Sequence, residues 1–239
     1  MNDVILVPTV QSAIAAELAG RRVAVIDVLR ATTVILTALE RGASRVLTVA
    51  GLEEARLLRA GLPGALLAGE RGGFAPEGFD YGNSPVELSG ADLAGRIVVL
   101  TTTNGTLAVQ RAEPAASIVA ACLRNAAAVA GALASSEGPV ALLCAGTEGA
   151  FTIEDFYCAG LIARGLASRG YALSDLTCAA ALLAERPVAE VVNERTCSHV
   201  RTLMRRGLQA DVPYCIECDA STTVPRYAKD AGGNAAFVG

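Results

Sequence analysis

The sequence lacks tryptophan, has one lysine and one histidine, and draws only 4% of its 239 residues from aromatic types. Apolar residues make up 52% of the chain. Because so few of them are aromatic, the core must consist mainly of closely packed alanine, leucine and valine, helped by 24 glycines. Twenty basic residues stand against 24 acidic ones, which gives a net charge of −4 and no basic stripe for nucleic acid. The acidic balance also argues against a membrane-surface role. We therefore expect neither a nucleic-acid-binding protein nor a membrane-associated one.

Long apolar runs are also missing, since each ends well before the roughly 20 residues that a membrane span needs. The first residues show no basic region followed by an apolar stretch, so no targeting segment is recognised. Seven scattered cysteines, an odd number, do not form a disulfide framework. These features predict a cytoplasmic protein.

Short apolar runs alternate with helical patterns up to about residue 170. This pattern predicts an α/β fold of three layers, with a largely parallel sheet and helices on both faces. The predicted strands cover residues 4–7, 23–26, 45–49, 65–68, 96–100, 117–121 and 139–144. Beyond Gly170 helices are predicted over 174–184, 187–194 and 197–206, and only 212–217 has an extended pattern. We expect one domain over residues 1–239, with a more helical C-terminal portion that includes a helical subdomain at about 171–210. Alanine-rich C-terminal helices offer a surface for a homodimer.

The stretch after the apolar run Val23–Ile26 concentrates polar side chains: Asp27, Arg30, Thr32 and Thr33 precede a helix that ends at a glycine. In open α/β sheets ligands bind where strands deliver the chain to helices, and a helix N-terminus favours anions. The alternative is structural, with Asp27 as a helix cap and Arg30 as its solvated partner. The stretch alone supports both interpretations equally.

Three other strand ends carry similar clusters. Glu70 and Arg71 begin a loop over 69–85, and loops of this length are usually functional or disordered. The remaining clusters are Thr101 to Thr106, and Cys144 to Gly149 leading to Glu154 and Asp155. In a parallel sheet all four ends lie along one edge. Amides, hydroxyls and arginines can surround a phosphate or sulfonate, and carboxylates suit Mg²⁺, so the combination is typical of phosphoryl transfer.

Five ordered motifs resemble the 2-phosphosulfolactate phosphatases, the ComB family. They begin at Asp27 (DVLRATT), Gly69 (GERGG), Gly78 (GFDYGNSP), Thr101 (TTTNGT) and Cys144 (CAGT, followed by Glu154 and Asp155). The resemblance runs from about residue 20 to 227. It implies the family's α/β fold and a Mg²⁺-dependent phosphatase that hydrolyses 2-phospho-3-sulfolactate to 3-sulfolactate and phosphate, in the route to coenzyme M.

The residues and the resemblance together assign roles at the predicted site. Asp27, Arg30, Glu70 and Arg71 are the expected catalytic residues. The expected Mg²⁺ ligands are Asp27, Glu70, Glu154 and Asp155. The expected substrate-binding residues are Thr32, Thr33, Asn83, Ser84, Thr102, Thr103, Asn104, Gly105, Cys144, Gly146 and Thr147. Attack by a metal-activated water and attack by an aspartate that forms a phosphoenzyme both remain open.

Cysteine chemistry gives competing interpretations. Cys144 precedes a glycine-containing loop, as in cysteine phosphatases, but Ala150 stands where such a loop ends in arginine. A buried structural thiol is therefore favoured there. The Cys215-x-x-Cys218 pair would need two more zinc ligands, with Cys197 and His199 as candidates, so a zinc or thiol-redox protein is an alternative. His199 is otherwise expected to be solvated or capping.

A further alternative is a non-catalytic binding module for an anionic metabolite, built from the same loops. A pure anion binder has no reason to place acidic residues beside its anion. The acids Asp27, Glu70, Glu154 and Asp155 therefore favour the phosphatase, with a small anionic phosphorylated compound as its partner.

Overall fold

The strands form one sheet in the computed structural model, which describes residues 2–229 and 235–239. Within those residues the strands are β1 (Asp3–Val7), β2 (Arg22–Ile26), β3 (Arg45–Thr48), β4 (Leu66–Gly69), β5 (Ile97–Thr101), β6 (Ser117–Ala121), β7 (Val140–Cys144), β8 (Ala172–Leu173), β9 (Arg226–Lys229) and β10 (Ala235–Val238). Their order across the sheet is β4-β5-β3-β10-β9-β6-β2-β7-β1-β8.

Eleven helices are found among the described residues. They are α1 (Ala15–Leu18), α2 (Ala31–Glu40), α3 (Leu52–Gly61), α4 (Pro85–Ser89), α5 (Gly105–Arg111), α6 (Ala126–Leu133), α7 (Ile153–Ala167), α8 (Asp175–Leu183), α9 (Val188–Val191), α10 (Ser198–Arg205) and α11 (Asp211–Cys215). Short 3₁₀ helices cover Val10–Ser12 and Leu123–Asn125. In the described part of the chain, no helix is long and apolar enough to cross a membrane.

The sheet consists of two parallel blocks with an antiparallel strand pair between them. One block contains β3, β4 and β5, and the other contains β1, β2, β6, β7 and β8. The strands β9 and β10 are antiparallel to each other, and they join β6 to β3 through antiparallel contacts. The predicted α/β fold with a largely parallel sheet is confirmed, and the sequence pattern missed this central pair.

Both faces of the sheet are covered, which explains the unbroken apolar runs. Alternate residues of β2 face opposite ways. Val23 and Val25 share one core with residues of α2, α5 and β5, whereas Ala24 and Ile26 share another with residues of α6, α7 and α8. Apolar residues on one face of both parallel blocks pack in the same core as α2 and α5. The structure is consistent with the predicted three layers.

The C-terminal portion departs from the sequence pattern at one element. Residues 212–217 were expected to be extended, but Asp211–Cys215 is the helix α11, so this prediction is wrong. Its first residue, Asp211, is buried and bonded to Arg30 and Ser84, and Pro213 lies in the first turn, where proline is tolerated. Long-range contacts therefore decide the conformation. The helices α8, α9 and α10 occupy the predicted helical stretches, while the helical subdomain at 171–210 stays a prediction.

Candidate active site

A cleft of about 180 Å³ lies where the loops after β2, β4, β5 and β7 meet α10. Of the residues predicted for the site, it is lined by Asp27, Arg30, Glu70, Asn83, Thr102, Thr103, Asn104 and Thr147. Leu29, Gly72, Gly73, Glu148, His199, Leu203 and Arg206 complete the wall. The four polar clusters at strand ends therefore surround one space, although β9 and β10 interrupt the parallel order of the sheet.

Asp27 is fixed at the start of α2 by its own neighbours. Its Oδ1 accepts a hydrogen bond from the Ala31 amide at 3.2 Å, and the Thr32 hydroxyl donates to the Asp27 carbonyl at 2.7 Å. The Thr33 hydroxyl donates to the Val28 carbonyl at 2.8 Å, so both threonines support the turn and neither lines the cleft. Asp27 thus caps the helix and also lines the cleft, which combines the two interpretations that the sequence left open.

Burial makes Asp27 an unusually weak acid. The side chain is 7% exposed, and burial raises its pKa from 3.8 to about 6. His199 and the Ala31 amide act in the opposite direction, while the carboxylates of Glu154 and Glu70 raise the pKa further. A carboxylate kept in a desolvated, anionic setting binds a cation or a proton readily.

Glu70 organises the loop after β4. Its Oε2 accepts from the Gly73 amide at 2.8 Å, and its Oε1 accepts from the amide and hydroxyl of Thr103 at 2.9 and 2.8 Å. Burial alone would favour the neutral acid, but these hydrogen bonds and the charge of Arg71 lower the pKa of Glu70 overall. Arg71 itself donates to the carbonyls of Glu70 and Ala50, each at 2.7 Å, and does not line the cleft.

Two arginines reach the cleft in different electrostatic states. Arg30 forms a buried ion pair with Asp211 at 2.5 Å and donates to the Gly73 carbonyl at 3.2 Å. Ser84 donates to the other oxygen of Asp211 at 2.5 Å, so Ser84 supports the pair from outside the cleft. Arg206 is half-buried. In the described part of the chain, no acidic side chain forms an ion pair with it. The positive charge of its guanidinium is therefore not neutralised by a carboxylate of the described residues and is available to a ligand in the cleft.

The loop after β5 brings α5 very close to α2. A Cβ added at Gly105 would lie 2.4 Å from the Ala31 Cβ and 2.8 Å from Asp27 Oδ2, so only glycine fits at this position. The Thr102 hydroxyl accepts from the Thr106 amide at 3.3 Å, which fixes the start of α5. Gly105 therefore acts through the packing of the cleft and does not line it.

Glu154 and Asp155 lie behind the wall. Asp155 accepts hydrogen bonds from the Val28 amide at 2.9 Å, the Gly146 amide at 3.1 Å and the Thr152 hydroxyl at 3.0 Å. It thereby ties the loop after β2 to the loop after β7. Burial, followed by the charges of Glu154 and Asp27, raises its pKa well above the usual value.

Glu154 contacts residues of the C-terminal portion. Its Oε1 lies 2.9 Å from Nδ1 of His199, and its Oε2 accepts from the Cys197 thiol at 3.1 Å. His199 lines the cleft, so the expectation of a solvated or merely capping histidine does not describe its surroundings. The sequence offered one signal for it, a single histidine two residues after a cysteine and close to several arginines.

Comparison with known proteins identifies the family. The sequence profile of the family described as 2-phosphosulpholactate phosphatase matches residues 8–230. The chain belongs to this family. A Deinococcus radiodurans protein named "Probable 2-phosphosulfolactate phosphatase" is 46% identical over 204 residues, which cover 84% of this chain and 85% of that protein. Proteins with the same name from Thermotoga petrophila and Symbiobacterium thermophilum are 42% and 40% identical, covering 86% and 90% of this chain and 88% and 94% of theirs.

The family's expected divalent cation can be tested against the donor set. Among the described residues, no group of three or more histidine, cysteine, aspartate or glutamate side chains is arranged to hold a metal. Asp27 and Glu70 do line the cleft, and the buried Oδ1 of Asn83, also in the wall, has no hydrogen-bond partner. Mg²⁺ typically takes one or two carboxylates and leaves its other positions to water and substrate oxygens, so Asp27 and Glu70 fit this ion.

The thiol alternatives find little support in this member of the 2-phosphosulpholactate phosphatase family. Cys144 and Gly146 lie outside the wall, and burial raises the pKa of the Cys144 thiol well above its usual value, helped by Asp155 and Glu154. A thiol that resists ionisation is a poor nucleophile. Cys215 is buried and Cys218 is exposed, and neither contributes to a metal-binding group within the described ranges.

Proposed function

We propose that the cleft hydrolyses 2-phospho-3-sulfolactate, or a related small phosphorylated hydroxy acid, to the hydroxy acid and phosphate with Mg²⁺ as cofactor. By its family the chain is a phosphoric monoester hydrolase. The names of its relatives support the substrate, and the cleft supports the chemistry. We extend the proposal to a role in the route to coenzyme M and to a cytoplasmic setting.

The main support for the proposal is the guanidinium of Arg206 in the wall of the cleft, which has no ion-pair partner among the described residues. Arg30 is neutralised by Asp211, and Arg71 is bonded to backbone carbonyls outside the cleft. Arg206 therefore offers the bidentate contact that an acidic group of the substrate requires. A cation beside two carboxylates suits a ligand that brings both anions and a metal ion, and a simple anion binder would not need the acids.

We assign the polar side chains of the wall the following parts in the proposed reaction. Asp27 and Glu70 would hold Mg²⁺, which supplies positive charge to the phosphate oxygens when it is bound. Arg206 binds and orients an acidic group of the substrate, while Arg30, through its contacts with Asp211 and the Gly73 carbonyl, holds the loops of the cleft in place. Asn83 offers its free carbonyl oxygen to a hydroxyl, water or cation. The chain is acidic overall, so these local charges must overcome its repulsion of the substrate.

Phosphate release tests the function. We expect release from 2-phosphosulfolactate and 2-phospholactate with Mg²⁺, little release in EDTA, and slower release from glycerol phosphate, which has no second acid. Arg206→Gln should lower kcat/KM for the two substrates with a second acid by on the order of 10- to 100-fold, because a charge-assisted hydrogen bond contributes about 1.5–3 kcal/mol.

Arg205→Gln is the matched control, since Arg205 is exposed and bonds only to Thr202 in the described structure. It should change kcat/KM little. Tight binding of 2-phosphosulfolactate without any phosphate release would instead support the non-catalytic binding module.

A further inference from the structure

His199 is held in the wall of the cleft by a buried acid. Its side chain is 15% exposed, and Nδ1 lies 2.9 Å from Glu154 Oε1 and 3.1 Å from Thr147 Oγ1. Because Nδ1 is engaged on the protein side, Nε2 is the ring nitrogen left to act on a ligand in the cleft. A carboxylate that fixes one imidazole nitrogen sets the tautomer and orientation of the other.

Glu154 is itself held from two directions. Its side chain is 1% exposed, and the Cys197 thiol donates to its second oxygen at 3.1 Å. Burial, followed by the charge of Glu154, raises the pKa of Cys197 to about 12, so the thiol keeps its proton and remains a donor. Cys197 also caps α10 by accepting from the Val200 amide at 3.4 Å. The start of α10 and the buried acid therefore form one rigid support for His199.

Hydrolysis of an alkyl phosphate requires a proton at the leaving oxygen, because an alkoxide is a poor leaving group. Of the other side chains in the wall, Asp27 and Glu70 are assigned to Mg²⁺ in the proposed function, and Glu148 is exposed to solvent. Arginine cannot act as an acid in proteins, and the threonine and asparagine side chains are weak acids. The chain has no second histidine. We propose that His199 is the general acid that protonates the leaving oxygen, and that Glu154 is its positioning residue; the inference rests on the phosphatase function proposed above.

The step balances without a further reactant. As the bond between phosphorus and the ester oxygen breaks, the proton on Nε2 moves to that oxygen and gives the alcohol. The phosphoryl group is taken by water or by an aspartate oxygen, and in either case water finally supplies the fourth oxygen of the phosphate. The proton that this water loses restores the imidazolium. The role of His199 is thus independent of which nucleophile attacks.

A matched pair of substrates tests this role with the full chain and saturating Mg²⁺. The trifluoromethyl counterpart of 2-phospholactate keeps the carboxylate and the carbon skeleton, and its CF₃ group is larger than methyl but smaller than the sulfomethyl group of 2-phosphosulfolactate. Its alcohol is more acidic and needs less protonation. His199→Gln should lower kcat/KM for 2-phospholactate by on the order of 100-fold or more, and for the trifluoro compound by less than about tenfold.

Glu154→Gln should reproduce this dependence on the leaving group with a smaller loss. Ser198→Ala, an exposed change on the same helix turn, is the control.

Two further measurements guard against a misfolded variant. Each variant should retain a cooperative thermal transition, and free imidazole should restore part of the 2-phospholactate hydrolysis of His199→Ala. Equal losses on both substrates, or no loss on either, would overturn the inference and leave the phosphatase function intact. Absence of phosphate release by the unmodified protein from both substrates would overturn the function, and the inference with it.

Discussion

Replacing Asp27 by asparagine should abolish turnover and at the same time stabilise the fold. Asp27 is buried in a wall that also holds Glu70, with Glu154 behind it, so its charge is costly in the folded state. Asparagine has nearly the same shape and can keep the hydrogen bond from the Ala31 amide. It carries no charge, and it therefore resembles the protonated acid that the fold favours.

The magnitude follows from the raised pKa. Burial raises the pKa of Asp27 from 3.8 to about 6, so the folded protein binds the proton more tightly than the unfolded chain does. The two values differ by an amount worth about 3 kcal/mol, at about 1.4 kcal/mol per pKa unit. The wild type therefore loses stability relative to the variant as the pH rises through this window. The difference should be near zero at the low end of the window and complete above its upper end.

Urea unfolding across this pH range, with EDTA present to remove divalent cations, measures the difference directly. At neutral pH the variant should also unfold about 6–12 °C higher in temperature. Added Mg²⁺ should raise the unfolding temperature of the wild type and not that of the variant, because only the wild type offers the carboxylate. Asp92→Asn, at an exposed aspartate, controls for the substitution itself. A variant that is no more stable than the wild type at neutral pH would refute the electrostatic reasoning, and near-normal activity would refute the site assignment.

Two other substitutions probe how the cleft is supported. Asp155→Ala should destabilise the protein by at least about 1–3 kcal/mol in urea unfolding, because the Val28 amide, the Gly146 amide and the Thr152 hydroxyl all lose their acceptor; equal or higher stability would contradict the bracing role. Gly105→Ala should greatly reduce activity, since the new methyl group would collide with Ala31 and Asp27. Gly131→Ala, at a helical position with open space around it, should instead leave activity unchanged and raise stability by about 0.5–1 kcal/mol. Full activity of Gly105→Ala would show that the close approach is unimportant.

Much of the sheet could be predicted because most of its strands coincide with short apolar runs in the sequence. The strand at 117–121 has the predicted bounds, since an apolar run marks it. The strand β9 carries no comparable signal, because Arg226 and Lys229 are charged. The strand β10 is apolar, but its partner β3, like the partner β6 of β9, lies far away in sequence. Their pairing is decided by the edges that β3 and β6 offer, which a local pattern does not contain.

The candidate site shows a similar division. The motifs identified the loops that surround the cleft, but they could not separate residues that face it from residues that brace it. Asp27 and Asp155 are both acids at the N-terminal side of a helix, yet nearby donors occupy both oxygens of Asp155. His199 and Arg206 were not expected in the wall, because α10 reaches it only through tertiary packing.

The antiparallel pair of β9 and β10 has a consequence for how the chain folds during synthesis. Among the described strands, all others leave the ribosome before these two, and until they arrive no strand of one parallel block pairs with a strand of the other. Each block then exposes an open edge, at β3 and at β6, which is a template for unwanted pairing with other chains. Completion of the sheet depends on contacts between residues distant in sequence, which slow folding. Nascent chains released before residue 226 should therefore depend strongly on chaperones.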